Sequence, residues 1–221
     1  MKNYIYLFAI LILLQIVSIN CNKNKIGQFN SLIITDNVDL KIKQANKVEL
    51  ISDDDDPEVS YSLNNHILTI TGNGDATLYL PDFKNLKNIN IDENAELEAD
   101  DDLFYANDLN ISMNVDADAQ IKLSAQNLTV NLDDNSTLQL KGEATSVNLT
   151  TTKNAKYKGH DLTAKSYNVD ISDNSEAHVY AQNSIKGIVK DNAHLYYSGL
   201  DASKINVEIS DNGTILSEGG K

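Results

Sequence analysis

From residue 86 onward one unit recurs along the chain: a short alternating apolar stretch, an Asp/Asn turn, a small residue, and a second short stretch. The turn falls on Asn94, Asp118, Asn135, Asn154, Asn174, Asn192 and Asn212, at intervals of 24, 17, 19, 20, 18 and 20 residues. A small residue follows each: Ala95, Ala119, Ser136, Ala155, Ser175, Ala193 and Gly213. Apolar pairs such as Val130/Leu132, Val147/Leu149 and Val169/Ile171 precede the turns. A unit this short cannot bury its own apolar side, so neighbouring units must stack and share a continuous core. Twenty residues hold about three strands of four or five residues joined by tight corners, with successive coils about 4.8 Å apart. The spacing therefore predicts an all-β parallel solenoid with coils of about 20 residues.

The corner residues follow from the same geometry. A sharp corner needs positive φ, which Asn and Asp tolerate better than other non-glycine residues. A small neighbour lets successive corners approach, and stacked Asn side chains can bond along the file. Propeller blades need about 40 residues, and leucine-rich repeats need a Leu/Asn frame that these units lack. Upstream, 31–34, 38–42, 48–51, 67–70 and 77–80 alternate with period two between Asn, Asp, Gly or Pro, the strand signature. Helical spacing is sustained nowhere after residue 20, and no linker divides residues 26–221.

The N-terminus carries a different signal. Lys2 and the apolar run Ile5–Val17 have the form of a signal peptide over residues 1–20, too short for a comfortable span of roughly 20 apolar residues. Cys21 is the only cysteine of the chain, so no intramolecular disulfide can form. Its place directly after the apolar run resembles the lipobox of bacterial lipoproteins, in which the thiol takes a diacylglycerol. Ser18-Ile19-Asn20-Cys21 departs from that pattern in lacking Leu at its first position and in carrying Asn before the cysteine. The resemblance implies lipid attachment at Cys21, residues 21–28 as a tether, and a partner in the membrane through the anchor.

Charge narrows the function. The chain carries 32 acidic and 18 basic residues, a net charge of −14, and every basic residue is lysine. Nucleic-acid binding requires clustered basic charge, so that partner class is excluded. No catalytic constellation emerges. Solenoid carbohydrate-active enzymes use a carboxylate pair with a basic residue in one groove, and no such Lys/Asp cluster rises above the repeat. A Gly-x-Ser-x-Gly elbow, a phosphate loop and a dinucleotide fingerprint are all absent from the sequence. Asp53–Asp56 and Asp100–Asp102 lack calcium-loop spacing and read as solvated loops. His178 and His194 sit in adjacent repeats without a third recurring ligand. The reading assigns no catalytic residue, no metal and no cofactor. Tyr157, Tyr167, Tyr180, Tyr196 and Tyr197 fall in successive late repeats, either as core packing or as a contact stripe.

These residues resemble a bacterial family described as putative auto-transporter adhesin, head GIN domain. Phe29 through Ile33, Val38–Ile42 and Val48–Leu50 match its opening pattern, and Leu78-Tyr79-Leu80-Pro81 its strand before the repeats. Leu195-Tyr196-Tyr197-Ser198-Gly199 falls where the family carries a tyrosine and glycine. The turns depart from it, reading Asp-Asn-Ser/Ala/Gly where the family is Gly/Ser-rich. The resemblance implies a right-handed, single-stranded β-helix over residues 29–217, a short tail at 218–221, and an exported protein of the cell envelope. The implied location is the outer membrane, as a lipoprotein facing the periplasm or the surface. The implied role is a non-catalytic, adhesion-like module with a glycan or a surface protein as ligand. A structural or stress-related envelope component without a specific ligand and a β-helix carbohydrate-active enzyme are the alternatives.

Overall fold

The computed structural model describes residues 24–52 and 59–219, all of it strand, turn and one single-turn 3-10 helix at Ala202–Lys204. The N-terminal part holds β1 (Asn24–Lys25), β2 (Ser31–Ile34), β3 (Asn37–Gln44), β4 (Glu49–Ser52), β5 (Ser60–Asn64), β6 (Ile67–Thr71), β7 (Asn73–Leu80) and β8 (Asn88–Ile91). Long strands follow: β9 (Glu96–Met113), β10 (Asp118–Leu132), β11 (Thr137–Thr151), β12 (Lys156–Ile171) and β13 (Glu176–Val189). The last coil is built from β14 (His194–Ser198), β15 (Ile205–Ile209) and β16 (Thr214–Ser217). From β9 to β13 each strand pairs in parallel with the next, and the coils form a β-solenoid of about six turns.

Each long strand wraps nearly a whole coil. Within β10, buried and outward residues alternate, then both Gln126 and Asn127 point outward before alternation resumes in the opposite phase. Asn107/Asp108 in β9 do the same, whereas β13 turns through three outward residues, Gln182–Ser184, and resumes in the same phase. Two consecutive outward residues are what a bend requires when both flanking segments must keep their apolar side on the axis. The ladder bonds run through the bend, so the three short strands foreseen for each coil are one bent strand.

The axis is filled by in-register files. One runs Leu40, Leu97, Ala119, Leu138, Tyr157, Ala177, Leu195, with Ile215 at its end. Tyr157 is fully buried, and Ala177 on the next coil leaves room for its ring. Burial of each large aliphatic side chain contributes roughly 1.5–3 kcal/mol.

The corners close each coil. Two consecutive residues have positive φ at Glu93/Asn94, Asp134/Asn135, Lys153/Asn154, Asp173/Asn174, Asp191/Asn192 and Asp211/Asn212. The N–H of the following small residue reaches back three residues, as in Ser136 to the Asp133 carbonyl at 3.2 Å. The asparagine N–H donates to the next coil, Asn135 to Lys153 and Asn154 to Asp173, each at 3.0 Å. Parallel pairing thus continues through the turn, and the corners stand in one file.

Asp118 is not a corner. The positive-φ pair of that coil is Val115/Asp116, followed by buried Ala117, and Asp118 opens β10. Asn114-Val115-Asp116-Ala117-Asp118-Ala119 contains Asp-Ala twice, so the corner pattern fits two registers. A β-branched residue is costly at positive φ, which hides the correct register. With Asp116 in place of Asp118 the intervals of 24 and 17 become 22 and 19, closer to the remaining coils.

The first two coils are out of sequence order. β2 pairs with both β6 and β8, and β3 with both β7 and β9. The coil β6–β7, later in sequence, therefore lies outside β2–β3 and ends the stack. Its outer edge is covered by antiparallel strands, β5 on β6 and β4 on β7, with β1 on β4. Such cover blunts a parallel edge that would otherwise template association. Asn65/His66, both at positive φ, form the two-residue turn joining β5 to β6. At the other end Ile209 and Leu216 stay about half exposed.

Candidate functional site

Outward-facing files on the solenoid sides are the natural place for function, because parallel register repeats each outward side chain at the coil spacing. On one side the register stacks Asp75, Asp39, Glu96 and Asp118 on four consecutive coils. They line a cleft of about 380 Å³ with Lys41, Lys43 and Gln120. Burial, and secondarily Asp75, raises the Asp39 carboxyl above its ordinary range. Burial, then Asp39 and Asp118, raises Glu96. Asp118 is raised by burial alone, against the pull of Lys158.

A carboxylate raised in the folded state is favoured below its unfolded range and penalised once pH climbs through its folded value. This file therefore weakens the fold at neutral pH. Like charges directly opposite cost about 0.2–1 kcal/mol. Glu96→Gln is expected to raise the melting temperature at pH 7 by about 1–3 °C. Below about pH 4, where the carboxylates are protonated, the gain should vanish. Thermal melts at the two pH values check this; equal gains at both would contradict it.

A second acidic group, Glu98, Asp100 and Asp101, has ligand oxygens within 4.8 Å of one another. Lysines occupy it: Lys41 lies 2.8 Å from Glu98 and 3.5 Å from Asp101, and Lys141 lies 2.7 Å from Asp100. At the corner file, Lys153 and Thr152 bond Asp133 at 2.8 and 2.6 Å and hold its carboxyl below the usual range. Asn side chains bond along the same file, Asn154 to Asn135 at 3.3 Å and Asn212 to Asn192 at 3.2 Å. Asp53–Asp56 and Cys21 lie outside the described residues.

The tyrosines divide. Tyr157 and Tyr167 are fully buried with hydroxyls 3.4 Å apart, and burial pushes the Tyr157 hydroxyl well up. Tyr197 is also core, while Tyr180 and Tyr196 are half-buried at the surface. The five tyrosines therefore form no single stripe. The parity was readable: Tyr157 stands two residues after the corner alanine Ala155, and both face the axis.

His178 is the centre of a group that spacing could not reveal. Its Nε2 lies 2.5 Å from Glu176 and its Nδ1 2.8 Å from Glu218, with the ring stacked on Tyr196 at 4.6 Å. His194 instead meets Thr214 at 2.6 Å, so the two histidines serve different partners. Glu218 comes 40 residues after His178, from beyond β16. No repeat pattern marks it.

A single stack of parallel coils with an apolar axis, charged and amide files outside, and one capped end defines a β-solenoid scaffold. The chain belongs to the family described as "Putative auto-transporter adhesin, head GIN domain", whose model matches residues 28–200. Three crystal structures share the fold. One, a putative adhesin from Bacteroides fragilis NCTC 9343, is 16% identical, with a TM-score of 0.74 over 89% of this chain and 94% of that one. A putative adhesin from Parabacteroides merdae ATCC 43184 is 16% identical, with a TM-score of 0.63 over 90% and 95%. A "Putative lipid binding protein" from Parabacteroides distasonis ATCC 8503 is 14% identical, with a TM-score of 0.65 over 90% and 96%. No curated protein matches the chain. Among the described residues no helix is long and apolar enough to cross a membrane.

Proposed function

We propose that this chain is an exported lipoprotein of the cell envelope, anchored through Cys21, that works as a non-catalytic binding module. The observation that carries the reading is the match to an adhesin family over residues 28–200, on a scaffold whose outward files repeat at coil spacing. Such files suit extended ligands with repeating polar groups, as in glycans or the strands of a surface protein. The module comprises residues 29–217, with 1–20 removed on export, 21–28 as tether and 218–221 as tail. The outer membrane is the proposed location. Two or more acyl chains on Cys21 would anchor it stably, at about 0.8 kcal/mol per buried methylene.

Mass spectrometry of the membrane fraction tests the anchor. A mature chain beginning at acylated Cys21 is expected, and Cys21→Ser should move the protein into soluble fractions. An unmodified Cys21 would overturn the anchor. Arrays of glycans and envelope proteins test the binding role, and turnover of a polysaccharide panel, with or without calcium, would contradict it.

A further inference from the structure

We propose that a groove along one bend of the solenoid, with the exposed ring of Tyr105 at one end, binds a neutral linear glycan. The inference rests on the binding-module reading above and gives that module a site and a ligand class.

Two outward files form the walls. The first runs Tyr105, Ser124, Glu143 and Thr163 on four consecutive coils, each in register with the next. The second runs Asn107, Gln126, Thr145 and Lys165, each one residue beyond the registered alanines Ala106, Ala125, Ala144 and Ala164. Side chains two apart on a strand share a face, so the space between these files is a groove along the solenoid axis. It holds about 460 Å³. Three coil steps give it a length of roughly 14 Å, enough for a short oligosaccharide.

The walls offer what a sugar chain uses. Among the described residues Tyr105 is the one tyrosine or phenylalanine that is exposed rather than buried or half-buried. Lys84 lies 5.9 Å from its ring centroid and is itself 3.2 Å from Asp82, so the ring is held in place yet open to a ligand. The C–H bonds on one side of a pyranose ring carry a small positive charge and suit the negative face of such a ring. Asn107, Gln126 and Thr145 are exposed, and among the described residues their side chains have no hydrogen-bond partner. The neighbouring asparagines differ: Asn110 bonds Asn88 at 3.0 Å and Asn168 bonds Asn148 at 3.4 Å, along their own file. The groove therefore has unused donors and acceptors at a regular coil spacing, which is the demand of repeated hydroxyl groups.

Charge and backbone select among ligands. The lining has two lysines, Lys84 and Lys165, and the first is already paired with Asp82. That is too little cationic charge to hold a polyanion on a chain of net −14. A protein strand is disfavoured for a different reason. β10 and β11 are bonded in parallel on both sides, so an incoming peptide finds no free ladder edge in the groove. Sugar hydroxyls need none.

The test titrates the mature chain from Cys21 with cellohexaose, laminarihexaose, maltohexaose and mannohexaose, followed by side-chain amide resonances in NMR. Binding of at least one of them is expected, with shifts at Asn107, Gln126 and Gln182. Tyr105→Ala should weaken it roughly tenfold, and Gln126→Ala roughly fivefold. Asp39→Asn, in the acidic cleft, should leave it unchanged. The melting temperature of Tyr105→Ala should match that of the parent, which separates lost contact from lost fold. Affinities all weaker than about 10 mM overturn the proposal. So does unchanged binding by Tyr105→Ala, tighter binding of oligogalacturonate, or an extended polar peptide shifting the same amides where the hexasaccharides do not. A glycan or protein that binds elsewhere on the solenoid would sink this site and leave the binding-module reading standing.

Discussion

Gly187→Ala is expected to destabilise the solenoid by about 3–5 kcal/mol. Gly187 has φ +135°, a region that side chains strain to enter at about 1–3 kcal/mol. Register sets it between Val169 on one coil and Val207 on the next. A Cβ there would lie 1.8 Å from the Val169 carbonyl oxygen and 2.8 Å from its nitrogen and carbonyl carbon. Both obstacles are backbone, and that backbone is fixed by its own ladder. The coils must part locally, losing hydrogen bonds that bury polar groups when broken. Gly187 keeps the inward parity of Ile185 and Val189, and Ile188 faces outward in register with Asp170 and Glu208. Urea unfolding measures the loss. Gly219→Ala, with nothing within 4 Å of its Cβ, is the control and should change stability by less than about 0.5 kcal/mol. Similar effects at the two glycines would mean that coils slide past one another more freely than the register implies.

Tyr157→Ala is the second large effect, at about 3–5 kcal/mol for truncating a buried aromatic. The ring fills the axis between Leu138 and Ala177 and meets Tyr167 edge-on with centroids 6.4 Å apart. A solenoid has no second layer to collapse into the gap, because each coil is held above and below at fixed spacing. Tyr157→Phe keeps the ring and loses a hydroxyl contact of 3.4 Å, so about 1 kcal/mol is expected. Tyr105→Ala, at a residue about half exposed, should fall within about 0.5 kcal/mol. Chemical denaturation of the three variants gives the order Tyr157→Ala, then Tyr157→Phe, then Tyr105→Ala. A different order would place the tyrosine pair outside the core.

The repeat was legible because a corner with two positive-φ residues leaves a residue-type mark every twenty positions. Asn135, Asn154 and Asn174 are such marks. The slip at Asp118 shows the limit of that mark, since Val115 occupies a position that its branched side chain disfavours. The order of the first two coils was not legible. Alternation in 31–42 and 67–80 tells which side chains face inward, but the same faces suit either neighbour. Only the antiparallel cover from β4 and β5 selects β6–β7 as the terminal coil. The surface groups were hidden for a related reason. Asp75, Asp39, Glu96 and Asp118 lie on four coils whose spatial order differs from the chain order, so no window of sequence brings them together.

The stacking of corners in one file is the premise from which the core and the outward files follow. Double electron–electron resonance between spin labels tests it directly, with Cys21 replaced by serine and one label fixed at position 94. The second label is moved to 174, 192 and 212, which lie four, five and six coils away. Mean distances of roughly 19, 24 and 29 Å are predicted, rising by about 4.8 Å per coil. Distances that fail to increase with coil number, or that scatter without a common step, would contradict the stacked file.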